Sequence, residues 1–176
     1  MNIHMGKSII LGGGCFWCTE AIYKYVDGVE DVLPGYIGGN KENPTYEEVC
    51  SGMTGHAEVV KIIFDDKRIS LDKILEIFFK THDPTTLNRQ GNDVGTQYRS
   101  VIFYENENEL KFFEDYISKL NLLETYNSKI VTTLEKRLHF YEAEEYHHNY
   151  FEKNPFSGYC NLVVRPKVEK FRNENK

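Results

Sequence analysis

The chain has 176 residues, of which 40% are hydrophobic, 27% charged and 14% aromatic. That length suits one domain burying about 70% of its unfolded surface, so a core forms without disulfide staples. A net charge of −6 gives no basic footprint for nucleic acid, and no apolar run approaches the ~18 residues that span a membrane. The N-terminus lacks the apolar region and cleavage site of a signal peptide, so a cytoplasmic location is expected. One domain over residues 1–176 is expected, with 1–6 and 167–176 as loose termini and a monomer as the working state. Four cysteines are too few for a disulfide scaffold, and in a reducing compartment they point instead to catalysis or metal binding.

Lys7 to Leu11 reads as a short buried strand, stopped by Gly12, Gly13 and Gly14. A helical stripe follows through Cys15, Cys18, Ile22, Tyr25 and Val26. Val29 to Ile37 is strand-like, with Pro34 marking an edge or bulge. Residues 38–55 form a long loop rich in Gly and Asn. Ala57 to Phe64 alternates as a strand, and Leu71 to Phe79 is a helix capped by Ser70. A second loop covers His82 to Thr96, before a strand from Gln97 to Tyr104. Leu110, Phe113, Ile117 and Leu120 mark a third helix. Ile130 to Leu134 predicts a strand, Glu142 to Phe151 an aromatic helix, and the tail from Asn154 an irregular chain. The order up to residue 104 is that of a split β-α-β, so the expected class is α+β with a ferredoxin-like core.

Three features carry chemistry. The glycines before Cys15 let the chain turn sharply into a helix whose first turn favours an anion, and the thiolate is the reactive form of cysteine. Cys15 is therefore a candidate nucleophile, with Phe16 and Trp17 as candidate walls of an apolar pocket. A phosphate loop fails at this turn, because Trp17 occupies the place of its third glycine. Glu58 shares a strand face with Val60, Ile62 and Phe64; desolvation there raises a carboxyl pKa and keeps a proton available near neutrality. Tyr46 and Tyr98, in and after the long loops, are candidate donors to a developing oxyanion.

These motifs resemble the peptide methionine sulfoxide reductase A family. The likeness runs in order through Gly14-Cys15-Phe16-Trp17, residues 35–39, Asn43 to Gly52, Thr54 to Val59, His82-Asp83-Pro84, Gln90 to Asp93, Gly95 to Ser100, and Asn154-Pro155 to Cys160. The resemblance implies reduction of the S epimer of methionine sulfoxide, free or in proteins. It implies that Cys15 attacks the sulfoxide sulfur, Glu58 protonates the oxygen, and Tyr46 and Tyr98 hydrogen-bond it. Phe16 and Trp17 would hold the terminal methyl group, with Asp93 as the supporting loop carboxylate. The product is a sulfenic acid on Cys15, which condenses with a nearby thiol. Cys160 matches the C-terminal resolving cysteine of the family and is placed ahead of Cys18, which lies one helical turn from Cys15; a relay through both stays open. Thioredoxin is the implied external reductant; no bound cofactor or metal is expected. Cys50 reads as structural, and His56 and His82 as loop-fixing residues. The alternatives are a thioredoxin-like exchanger built on Cys15 and Cys18, and a zinc module that lacks its second ligand pair.

Overall fold

The computed structural model describes residues 6–176, so the expected loose N-terminus lies, through residue 5, outside the described residues. The elements run β1 (Lys7–Gly12), α1 (Phe16–Tyr23), β2 (Val29–Ile37), α2 (Tyr46–Cys50), β3 (Ala57–Phe64) and α3 (Leu71–Thr81). Next come a small hairpin of β4 (Arg89–Gln90) and β5 (Asp93–Val94), a 3₁₀ turn (Thr96–Tyr98), β6 (Val101–Tyr104) and α4 (Glu107–Leu122). The chain ends with β7 (Thr133–Lys136), β8 (Tyr141–Glu142), a 3₁₀ turn (Glu145–His147), α5 (Tyr150–Lys153), a π-helical turn (Cys160–Val164) and α6 (Arg165–Glu174).

This is a mixed α+β molecule around one six-stranded sheet, ordered β7-β6-β1-β3-β2-β8. All neighbours pair antiparallel except β6 and β7. One sheet face carries Leu11, Val60, Ile62 and Phe64 into the main core beneath the helices, where Ile74, Phe78 and Phe113 pack. The other face gathers Ile10, Ile37, Val59 and Phe103 under Phe140. Pairing Leu11 with Val60 sets the end of β1 beside the start of β3. The turn leaving β1 and the residue Glu58 therefore share one end of the sheet.

Several expectations change. The loop expected at 38–55 holds α2, opened by a capping box between Thr45 and Glu48, and the loop expected from His82 to Thr96 holds the β4–β5 hairpin. Residues 97–100 do not join the sheet: Tyr98 and Arg99 donate back to Gly95 and Thr96, so their N–H groups are closed into a tight turn. The strand expected at 130–134 starts at Thr133, because the Val131 N–H is taken by the Pro84 carbonyl. The single aromatic helix at 142–151 is instead β8, a 3₁₀ turn and α5, interrupted at Asn149 with φ 57°. The irregular tail is helical and docked. Val164, Val168 and Phe171, at i, i+4 and i+7, are buried, and Pro166, which has no N–H to give, directly follows the π-helical turn, where the regular helical hydrogen-bond pattern is already interrupted. Ser70 caps α3 as expected, accepting from the Lys73 N–H at 3.1 Å. No helix among the described residues is long and apolar enough to cross a membrane.

Candidate active site

Cys15 is the N-cap of α1 and is nearly buried. Gly14 makes the preceding turn at φ +96°, and a Cβ there would lie 2.7 Å from the Gln90 side chain. The turn thus needs glycine for both its angle and its space. Burial first, then the neighbouring Glu58 and Cys18, push the Cys15 thiol well above its ordinary range. The nearby Trp17 backbone N–H and Tyr159 hydroxyl oppose that rise. In the free protein, burial outweighs the helix start, and Cys15 rests as a thiol rather than the thiolate expected there.

Glu58 is 1% exposed. Its Oε1 accepts from the Phe16 backbone N–H at 3.3 Å, while its buried Oε2 has no protein partner. Burial, with the Asp93 charge adding to it and the Phe16 N–H opposing it, raises the carboxyl pKa to about 8. This side chain is a neutral acid with one free oxygen.

Tyr46 opens α2, and its backbone N–H donates to Glu144 Oε2 at 3.0 Å. Tyr98 lies in the 3₁₀ turn after β5. Burial and the Glu58 carboxyl push both phenols far above their ordinary range, so both remain donors. Phe16 is 1% exposed and packs with Tyr36, Tyr46 and His147. Trp17 stacks on Tyr150 at 3.7 Å and meets the edge of Tyr159 at 5.5 Å. Asp93 is half-buried, and its Oδ2 accepts from the Tyr159 hydroxyl at 2.6 Å.

Cys18 and Cys160 are both buried. Burial lifts the Cys18 thiol to about 11, against Lys167 and the Tyr159 hydroxyl, with Asp93 and Cys160 raising it further. Cys18 thus interacts electrostatically with both Cys15 and Cys160. Cys160 is not on a free tail: it begins the π-helical turn that leads into docked α6. His56 and His82 fix loops, the first between Gly39 and Lys41, the second between Phe78 and Ser100.

The structure thus brings together Cys15, Glu58, Tyr46, Tyr98, Phe16, Trp17, Asp93 and Cys18. Sequence reasoning missed three further members. The Cys50 thiol is raised by burial and by Glu58 and lowered by the Tyr46 and Tyr98 hydroxyls, so its surroundings are those of the site. Its signal was the spacing of four from Tyr46 on a helix. Tyr159 touches both Cys15 and Cys18, and its signal was adjacency to Cys160. His147 accepts the Trp17 indole proton across 130 positions of sequence, and no local pattern announces such a contact. Among the described residues, no group of three or more His, Cys, Asp or Glu is arranged to hold a metal ion.

Comparison with known proteins agrees with this geometry. Residues 7–176 match the family model described as peptide methionine sulfoxide reductase. The chain is 59% identical to the peptide methionine sulfoxide reductase MsrA of Saccharolobus solfataricus, over 92% of this chain and 90% of that one. Mxr1 of Saccharomyces cerevisiae in its reduced form superposes with a TM-score of 0.83 at 40% identity, covering 90% and 91% of the two chains. The same yeast protein in complex with Trx2 matches with a TM-score of 0.58 at 30% identity, over 84% and 87%. Matched by that family model over residues 7–176 and 59% identical to a curated reductase over 92% of its length, the chain belongs to the peptide methionine sulfoxide reductase family and is an oxidoreductase.

Proposed function

We propose that this chain reduces the S epimer of methionine sulfoxide, free and in proteins, with Cys15 as nucleophile and Glu58 as proton donor. The observation that carries the reading is the buried, unpartnered Glu58 Oε2 on a carboxyl held neutral to about pH 8 beside the Cys15 thiol. A sulfoxide oxygen is a poor leaving group until protonated. Glu58 gives it that proton, while the Tyr46 and Tyr98 hydroxyls donate to the same oxygen. The Cys15 sulfur bonds to the sulfoxide sulfur, and its own proton passes to the carboxylate left on Glu58. The S–O bond to methionine and the new S–S bond then break together as the hydroxyl moves to Cys15, releasing methionine. Methionine is reduced by two electrons, Cys15 is oxidised to a sulfenic acid, and Glu58 ends protonated. Phe16 and Trp17 hold the methyl group, and Asp93 orders the site through Tyr159.

The neighbouring thiols support a relay. Cys18 attacks the Cys15 sulfenic acid, releasing water and forming a disulfide; Cys160 then exchanges onto Cys18. Thioredoxin supplies the two electrons that reopen the final disulfide, a step supported by the yeast relative solved with Trx2. A reducing cytoplasm suits this chemistry. The thioredoxin-like exchanger is disfavoured because one strand, β1, precedes the Cys15–Cys18 pair among the described residues, where that fold needs a β-α-β unit.

Two structural readings belong here. Ordered β6-β1-β3-β2, with β1 antiparallel to both β3 and β6, the central strands support a split β-α-β, ferredoxin-like core, to which β7 and β8 add edges. The chain is read as one catalytic unit. The deciding experiment is single turnover of each methionine sulfoxide epimer by the reduced protein and its Cys15→Ser variant. Wild-type rates in the variant, or equal rates on both epimers, would overturn the proposal.

A further inference from the structure

We propose that His147 is a positioning residue: its Nδ1 accepts the Trp17 indole proton and fixes the orientation of the ring that meets the substrate methyl group. This rests on the reading of Trp17 as a wall of the methyl pocket. The indole N–H only donates, and it reaches Nδ1 at 3.0 Å. Nδ1 must therefore be bare, and the neutral ring keeps its proton on Nε2. Nε2 is buried and has no protein partner. One ring nitrogen is left unsatisfied while the other is aimed at the indole, which is unusual for a histidine serving only as packing.

Two contacts divide the work of holding Trp17. Its stack on Tyr150, at 3.7 Å and 5°, restrains tilt. Stacked rings still rotate and slide in their common plane. The N–H···N bond at the indole edge removes that freedom. His147 is itself held by rings on several sides: Tyr46 at 4.4 Å, Phe16 at 5.0 Å and Tyr146 at 4.0 Å. The segment carrying it is tied down along its length. Ala143 donates to the Pro34 carbonyl at 2.9 Å, Glu144 accepts from the Tyr36 hydroxyl at 2.9 Å, and Asn149 donates to Glu20 at 3.1 Å.

A protonated His147 would set an N–H against the indole N–H and break the contact. Burial prevents this by pushing the ring down to about 4, although Glu144 and Glu47 face it and raise it, with His148 lowering it. The neighbouring Tyr46 and Tyr146 phenols, both raised by burial, carry no charge to oppose it at neutral pH.

The chain has one tryptophan, so labelled protein gives a single indole N–H resonance. In the wild type, nitrogen NMR of His147 is expected to show the Nε2–H tautomer, with the indole proton protected from exchange. His147→Phe keeps a ring but removes the acceptor. It is expected to speed indole exchange and raise KM about tenfold or more, with kcat within a few-fold, as for a spoiled apolar subsite. His147→Asn returns an acceptor near Nδ1 and is expected to restore both. An Nδ1–H tautomer in the wild type, or wild-type KM and exchange in His147→Phe, would overturn the proposal; so would Asn behaving like Phe. If His147→Phe fails to fold, the wild-type tautomer and the Asn variant decide. An unchanged KM in Trp17→Leu would instead remove the pocket assignment, leaving the indole resonance to report on the contact itself.

Discussion

The Phe16 backbone N–H points at Glu58 Oε1 from 3.3 Å, joining the first turn of α1 to the second residue of β3. The amide that follows the nucleophile orients the acid. It also leaves Oε2 as the oxygen free to face a substrate.

Glu58→Gln keeps the shape and the Phe16 contact but has no acidic proton. Single-turnover sulfoxide reduction is expected to slow by about 10²–10⁴-fold. In the wild type, activity is expected to fall as pH rises through about 8, where Glu58 loses its proton. The glutamine variant lacks that limb. Stability follows the same proton: the folded protein holds it where an unfolded chain has released it. Glu58's contribution therefore declines as pH climbs from the ordinary carboxyl range through about 8, and is whole below that range. A pH–rate profile with no alkaline limb near 8 would remove Glu58 from the chemistry.

Tyr46→Phe and Tyr98→Phe each delete one donor aimed at the same oxygen. Each is expected to lower kcat by about 10²–10³-fold, the usual cost of one oxyanion donor. Because both hydroxyls act on one oxygen and share Cys50 and Glu58 as neighbours, the double variant is expected to depart from additivity. A double-mutant cycle measures the departure, and two silent single variants would leave the oxygen to Glu58 alone.

Cys18→Ser and Cys160→Ser test the relay at different points. With Cys18 replaced, one equivalent of methionine is still expected, but no Cys15–Cys18 disulfide. With Cys160 replaced, that disulfide is expected to accumulate and thioredoxin turnover to stall. Mass mapping after one equivalent of sulfoxide distinguishes them. Normal recycling by both variants, alone and combined, would mean that an outside thiol resolves Cys15.

Gly14→Ala is expected to cost about 1–3 kcal/mol in urea unfolding. The angle of +96° is unfavourable for any side chain, and the methyl would press on Gln90. Gln90 also bonds both the N–H and the carbonyl of Asp83, so it does not move aside freely. An unchanged midpoint would show that the turn relaxes.

Much of this is legible in the sequence alone, and the reason is local. The alternation around Glu58 places it on the apolar face whatever its partners are. The glycines ahead of Cys15 mark a strand-to-helix turn by backbone chemistry alone. What stayed hidden depends on long-range pairing. Tyr98 reads as a strand residue until its neighbours fold back on Gly95. The strap from Tyr141 to Tyr150 carries aromatic residues because it faces Trp17 and Tyr46, not because it is one helix. The docked tail carries its stripe on Val164, Val168 and Phe171, but Pro166 inside that span reads as a breaker, because nothing local announces the π-helical turn that precedes it. Cys50 looked inert because a cysteine next to Val49 gives no sign of the two hydroxyls it meets.

Lys7 pairs with Phe64 at the end of the sheet away from Gly12. A six-residue strand spans roughly 20 Å, so that end stands well clear of the reactive sulfur. Affinity tags, reporter fusions or surface tethers attached at Lys7, or inserted after Phe64, are thus expected to leave turnover intact.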